Sequence, residues 1–222
     1  MTKKKIAFRI VSLETSRSLG ESEMKNAFFK LDEKKKKKIF STALAEFSQK
    51  GFMESSFNGI IQKSGISKGG MYKYCSSKEE LYHYIVETTV KELIEHVDQF
   101  TERAGEGLHE MLFRYTEHEF DFYLRNREYS LLHSRVFMHS SDDIDLEIKK
   151  NYQQESAQLF YRIMGNGRTK LSSEILKIYQ WVLVGLKTDF YKSLSGTDNL
   201  EKMKEEYKSE LQKIFDILKN LI

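Results

Sequence analysis

The chain has 222 residues, room for one or two domains, and 40% of them are hydrophobic, enough to bury a core. Its 31% charged residues point to a soluble, cytoplasmic protein, and its single cysteine, Cys75, excludes an internal disulfide framework. The net charge of +3 hides an asymmetry, because residues 1–78 balance to +10 and residues 79–222 to −7, which suggests one part that meets a polyanion and one that does not.

The longest apolar run, WVLVGL (181–186), is far too short to span a bilayer, so no membrane partner is expected. There is no proline, which suits long helices joined by short turns. Residues 1–30 read as a loosely ordered extension. The stretch 1–23 lacks sustained periodicity, and Arg9 interrupts the apolar part that a signal peptide needs. The codons of Gly20 and Glu21 are compatible with a ribosome-binding site, which makes Met24 a candidate start.

From Asp32 the pattern turns helical. Ile39, Phe40, Ala43, Leu44 and Phe47 fall on one face, and Gly51 closes the helix. The lysine run 34–38 is read either as a solvated face or as a phosphate-facing patch. A second helix follows, opened by Ser55 or Ser56, carrying Phe57, Ile60 and Ile61 inward and ended by Gly65. Ser67 caps a third. Helix, glycine turn and helix over 56–74 make a helix-turn-helix layout. Ser76 or Ser77 then opens a long helix with Leu81, Ile85, Val86, Val90, Leu93, Ile94 and Val97 on one stripe. It holds neither proline nor internal glycine, so it is expected to act as a stiff lever. Further amphipathic segments cover about 107–126, 128–139, 143–165, 172–195 and 199–221. The expectation is an all-α protein of about nine helices: a helix-turn-helix domain over 31–77 and a helical bundle over 78–222.

The stretch GISKGGMYKYCSSK (65–78) places two glycines where a helix should begin. A recognition helix enters the major groove by its N-terminal end. Glycine there permits close backbone approach, and free N–H groups are good phosphate ligands. Lys68, Gly69, Gly70, Tyr72, Lys73 and Tyr74 are therefore candidate DNA contacts, with Met71 facing the core. A loop followed by an ordinary surface helix is the plainer alternative.

Residues 36–85 resemble the DNA-binding domain of the tetracycline-repressor (TetR) family. The resemblance rests on A-x-x-x-F-x-x-x-G-F, then S-S-x-x-x-I-x-x-x-S-G-I-S-K-G-x-M-Y-x-Y, then S-K-E-E-L. It implies a homodimer, an inverted-repeat operator and a C-terminal effector-binding and dimerisation domain. It also implies hydroxyl positions at Ser55 and Ser56 and a phosphate contact at Lys78. Two positions depart from the pattern, Tyr74 where histidine is common and Cys75 where phenylalanine is; Cys75 reads as a buried structural thiol.

The bundle is rich in aromatic residues, and Phe120, Tyr123, Phe137, Tyr161 and Trp181 are candidates for lining an effector pocket. The six histidines make no metal spacing, and no nucleophile–base pair or phosphate loop points to an enzyme. Cofactors are not expected. The sequence thus points to a ligand-responsive repressor that binds operator DNA as a homodimer, through 172–195 and 199–221, and is released by a small molecule. A ligand-independent architectural or cell-division regulator is the alternative.

Overall fold

A computed structural model describes residues 24–101, 103–138, 142–152, 173–194 and 199–221, and every regular element among them is helical. In chain order these are α1 (Asn26–Phe29), α2 (Glu33–Glu54), α3 (Phe57–Ser64), α4 (Lys68–Tyr74) and α5 (Lys78–Val97). Then follow α6 (Leu108–Arg125), α7 (Arg127–His133), a π-helical turn (Ser134–Met138), α8 over 143–152, α9 (Ser173–Leu194) and α10 (Leu200–Leu221).

The described residues divide into two compact units. One holds 24–92 with 131–149, the other 93–130 with 150–221. The first is built on α2, α3, α4 and α5. Ile39, Ala43, Phe47, Ile60, Met71, Leu81 and Ile85 form its core. Tyr82 is fully buried, packs edge-on to Phe47 at 4.8 Å between ring centroids, and donates its hydroxyl to Asp145 at 2.6 Å. Arg135 and His133 also belong to this unit. The His133 imidazole lies 2.9 Å from the Thr89 hydroxyl, and burial drives its pKa down to about 3, so it is a neutral core residue.

Residues 24–30 correct the expectation of a loose extension through residue 30. The main-chain N–H of Lys25 donates to Tyr74 O at 2.8 Å, and Met24 and Phe28, four residues apart, are both buried. Phe28 meets the Tyr84 ring edge-on at 5.0 Å. Burying one phenylalanine contributes about 1.5–3 kcal/mol, enough to hold a four-residue helix that propensity alone would not. Residues 1–23 lie outside the described residues.

The second unit packs α6, α9 and α10. Phe120 of α6 stacks on Tyr207 of α10 at 4.0 Å and touches Phe190 of α9 at 3.9 Å. Tyr179, Leu183 and Leu186 of α9 and Met203, Leu211, Phe215 and Leu218 of α10 complete this core. Lys204–Asp121 (2.7 Å) and Lys208–Glu117 (2.9 Å) pair four residues apart on each helix, in antiparallel register.

Candidate nucleic-acid interface

The interface is built from caps. Ser56 Oγ accepts from Gly59 N at 3.1 Å and opens α3; Ser67 Oγ accepts from Gly70 N at 3.1 Å and opens α4. Between them Gly65 adopts φ 71°, ψ 17°, a left-handed conformation that glycine enters without strain. The α5 start is held reciprocally, since Ser77 Oγ accepts from Glu80 N at 3.1 Å and the Glu80 carboxylate accepts from Ser76 N.

The two glycines that begin α4 differ in cause. A Cβ at Gly70 would sit 3.0 Å from Ser67 Oγ and 3.2 Å from Ile66, so the cap itself disfavours a side chain there. A Cβ at Gly69 would meet nothing within 4 Å. Nothing inside the protein requires glycine at 69, although it costs a helix up to about 1 kcal/mol relative to alanine.

Lys68, Gly69, Tyr72 and Lys73 are exposed together on α4, with Gly70 and Tyr74 half-buried. The Tyr72 ring meets Phe57 edge-on at 5.7 Å, which braces it from α3. Met71 is fully buried beneath them. Cys75 is also fully buried, and burial, aided by the nearby Glu80 charge, pushes its thiol up to about 12.

Two expected contacts find partners inside the protein. Ser55 is buried and its hydroxyl donates to Phe52 O at 2.7 Å, so it faces the α2 end rather than the surface; Ser56 is the exposed one. Lys78 is half-buried, its ammonium donating to Phe52 O (2.6 Å), Ser55 O (3.2 Å) and Met53 O (3.5 Å), 4.2 Å above the Phe52 ring. Its charge is directed at the carboxyl end of α2.

Residues not anticipated from sequence complete the frame. Lys25 donates its ammonium to Tyr72 O at 2.9 Å, bracing the carboxyl end of α4. Glu46, 3% exposed, accepts from Lys50 (2.6 Å), Lys63 (2.8 Å) and Ser56 N (3.3 Å), so it joins α2 to α3. Its hydrogen bonds to Lys50 and then Lys63 hold its pKa down to about 2, against an opposing desolvation. A lone acid amid lysines was the only signal for it.

The aromatic residues proposed for an effector pocket differ in burial and are divided between the two units. Phe120 and Tyr123 are buried on α6, Phe120 within the ring stack already described. Phe137 belongs to the unit that contains α4. Trp181 is 70% exposed on α9, on the side away from Tyr179 and Leu183. Tyr161 lies outside the described residues. Among the described residues no group of three or more His, Cys, Asp or Glu is placed to hold a metal ion, and no helix is long and apolar enough to cross a membrane.

Residues 39–85 match the family described as bacterial regulatory proteins, tetR family. The uncharacterized HTH-type transcriptional regulator YfiR of Bacillus subtilis (strain 168) is 34% identical over 73 residues, 33% of this chain and 36% of that protein. YhgD of the same organism, also an uncharacterized HTH-type transcriptional regulator, is 29% identical over 86 residues, 37% of this chain and 45% of the relative. The matches thus span less than half the length of these relatives. The crystal structure of a TetR family transcriptional regulator from Chloroflexus aurantiacus J-10-fl superposes with a TM-score of 0.65 at 18% identity, covering 89% of this chain and 97% of that one. Helix-turn-helix and helical bundle therefore recur as one fold.

Proposed function

We propose, because residues 39–85 match the tetR family of bacterial regulatory proteins, that the protein is a DNA-binding transcriptional regulator that reads an operator through α4. Gly69 carries this reading. It sits at the exposed start of α4, where the protein's own atoms leave room for a side chain, so a reason for glycine there would lie outside the protein. A phosphate backbone or base edge at that point accounts for it. Lys68 and Lys73 supply charge around the glycine, and Tyr72 and Ser56 supply hydroxyls.

The test is Gly69→Leu. Stability should stay within about 1 kcal/mol of wild type or rise. Affinity for a duplex selected by the wild-type protein from a random library should fall at least roughly tenfold, about 1.4 kcal/mol. Unchanged affinity would remove the close-approach argument.

A two-fold homodimer supplies the second half of an inverted repeat, with reading helices about 34–36 Å apart. What supports it is a set of exposed apolar residues: Ile178 (43% exposed), Trp181 (70%) and Val184 (47%) on α9, and Ile217 (59%) on α10. Exposed apolar groups on two long helices are what a four-helix interface covers. Response to a small molecule follows if an effector favours a tilted α5 over the DNA-competent one. The filled stack of Phe120, Tyr207 and Phe190 favours the second reading, a regulator without a small ligand. Titrating operator binding against cell-extract metabolites separates the two. Whether the protein represses or activates depends on where its operator lies.

A further inference from the structure

The carboxyl end of α2 is held by side chains from distant parts of the chain. Gly51 leaves the helix with φ 71°, ψ −175°. That departure takes Phe52 N and Met53 N away from Ser48 O and Gln49 O, the carbonyls four residues earlier, which a continuing helix would have paired. Arg135 fills the gap. Its Nε donates to Ser48 O at 2.9 Å and its Nη2 to Gln49 O at 2.6 Å. Lys78 takes the carbonyls of Phe52 and Ser55 further along, and Glu46 takes Ser56 N, so the connection from α2 to α3 is tied at both ends. The guanidinium fork suits this work, because it donates two bonds in fixed directions.

Arg135 lies 79 residues beyond Ser56 in the chain, in the π turn after α7, a wide turn of the kind often found at functional sites. Its own seat is firm. His133 is anchored to Thr89, and Asp145 to Tyr82, both buried within the same unit. We infer that Arg135 is a positioning residue for DNA reading: it fixes the angle at which α3 leaves α2, and through the capped turn the attitude of α4, without touching DNA. The segment 131–149 thereby becomes part of the reading head.

The inference rests on α4 being the DNA-reading helix, and the experiment separates the two. Full-length wild type, Arg135→Gln and Arg135→Lys are titrated onto a duplex selected by the wild type from a random library and onto a scrambled duplex, at several salt concentrations, with melting followed in parallel. The expected result for Arg135→Gln is a roughly tenfold loss on the selected duplex, an unchanged affinity for the scrambled one, an unchanged salt slope and a protein still folded at the assay temperature. Lysine, which keeps the charge but not the fork, should restore part of the loss. Equal losses on both duplexes with the salt slope reduced by about 0.9 would make Arg135 a phosphate ligand and overturn the inference. So would wild-type affinity in Arg135→Gln, or a loss explained entirely by the unfolded fraction. If the wild type selects no duplex at all, the DNA-reading assignment fails first and this inference with it.

Discussion

Replacing Glu46 with glutamine keeps the shape of the side chain and removes the charge on which Lys50, Lys63 and Ser56 N converge. Folding lowers the Glu46 pKa from 4.5 to about 2, which at about 1.4 kcal/mol per pKa unit corresponds to roughly 3 kcal/mol. The carboxylate is 3% exposed, but the side chains of Lys50 and Lys63 are 44% and 63% exposed, and solvent screens their charges. About 1–2 kcal/mol is the expected contribution. A depressed carboxyl pKa stabilises the fold above the unfolded value of 4.5 and loses that effect as pH falls toward the folded value of about 2. Glu46→Gln should thus be less stable than wild type at pH 7 by about 1–2 kcal/mol, with more than half of the gap closed by pH 3. Urea unfolding of both proteins at pH 7, 5, 4 and 3, followed by far-ultraviolet circular dichroism, measures it. A gap of the same size at pH 7 and pH 3 would refute the charge-based account and leave only shape.

Three further outcomes follow from where side chains sit. Trp181→Glu combined with Ile217→Glu should yield folded monomers in sedimentation at micromolar concentration, because losing two apolar anchors costs about 3 kcal/mol or more, over a hundredfold in dimer affinity; a persistent dimer would place the interface elsewhere. Lys68→Ala and Lys73→Ala should each lower the magnitude of the log–log salt slope of DNA binding by about 0.9. Lys78→Ala, whose ammonium faces carbonyls, should instead lower the melting temperature and leave that slope unchanged; a slope reduced as much as in Lys73→Ala would return Lys78 to the phosphates.

The elements written locally were legible. Ser56 and Ser67 as caps, Gly65 as a terminator, and the stripe on α5 each follow from residues within a few positions of one another, whereas Gly51, expected to end α2, instead kinks it three residues before its end. The clamps on α2 were not, because a lysine at 78 or an arginine at 135 carries no sign of which carbonyls it will meet. Nor was the outward turn of Trp181. α9 is apolar on two sides, with Tyr179, Leu183 and Leu186 on one and Ile178, Trp181 and Val184 on the other, and periodicity alone does not tell which side meets its own bundle. The helix Asn26–Phe29 is too short to show a period; only the spacing of Met24 and Phe28 hints at it.

Cys75 has a use beyond packing. It is the chain's sole thiol, fully buried where α4 meets α5, and held almost wholly protonated by its surroundings. A thiol reagent reaches it only when that junction opens, so the labelling rate under native conditions reports the opening equilibrium of the recognition helix. The protein thus carries an intrinsic, single-site clock for local breathing, and its slowing on addition of DNA would give the energetic coupling between helix opening and operator occupancy without any introduced probe.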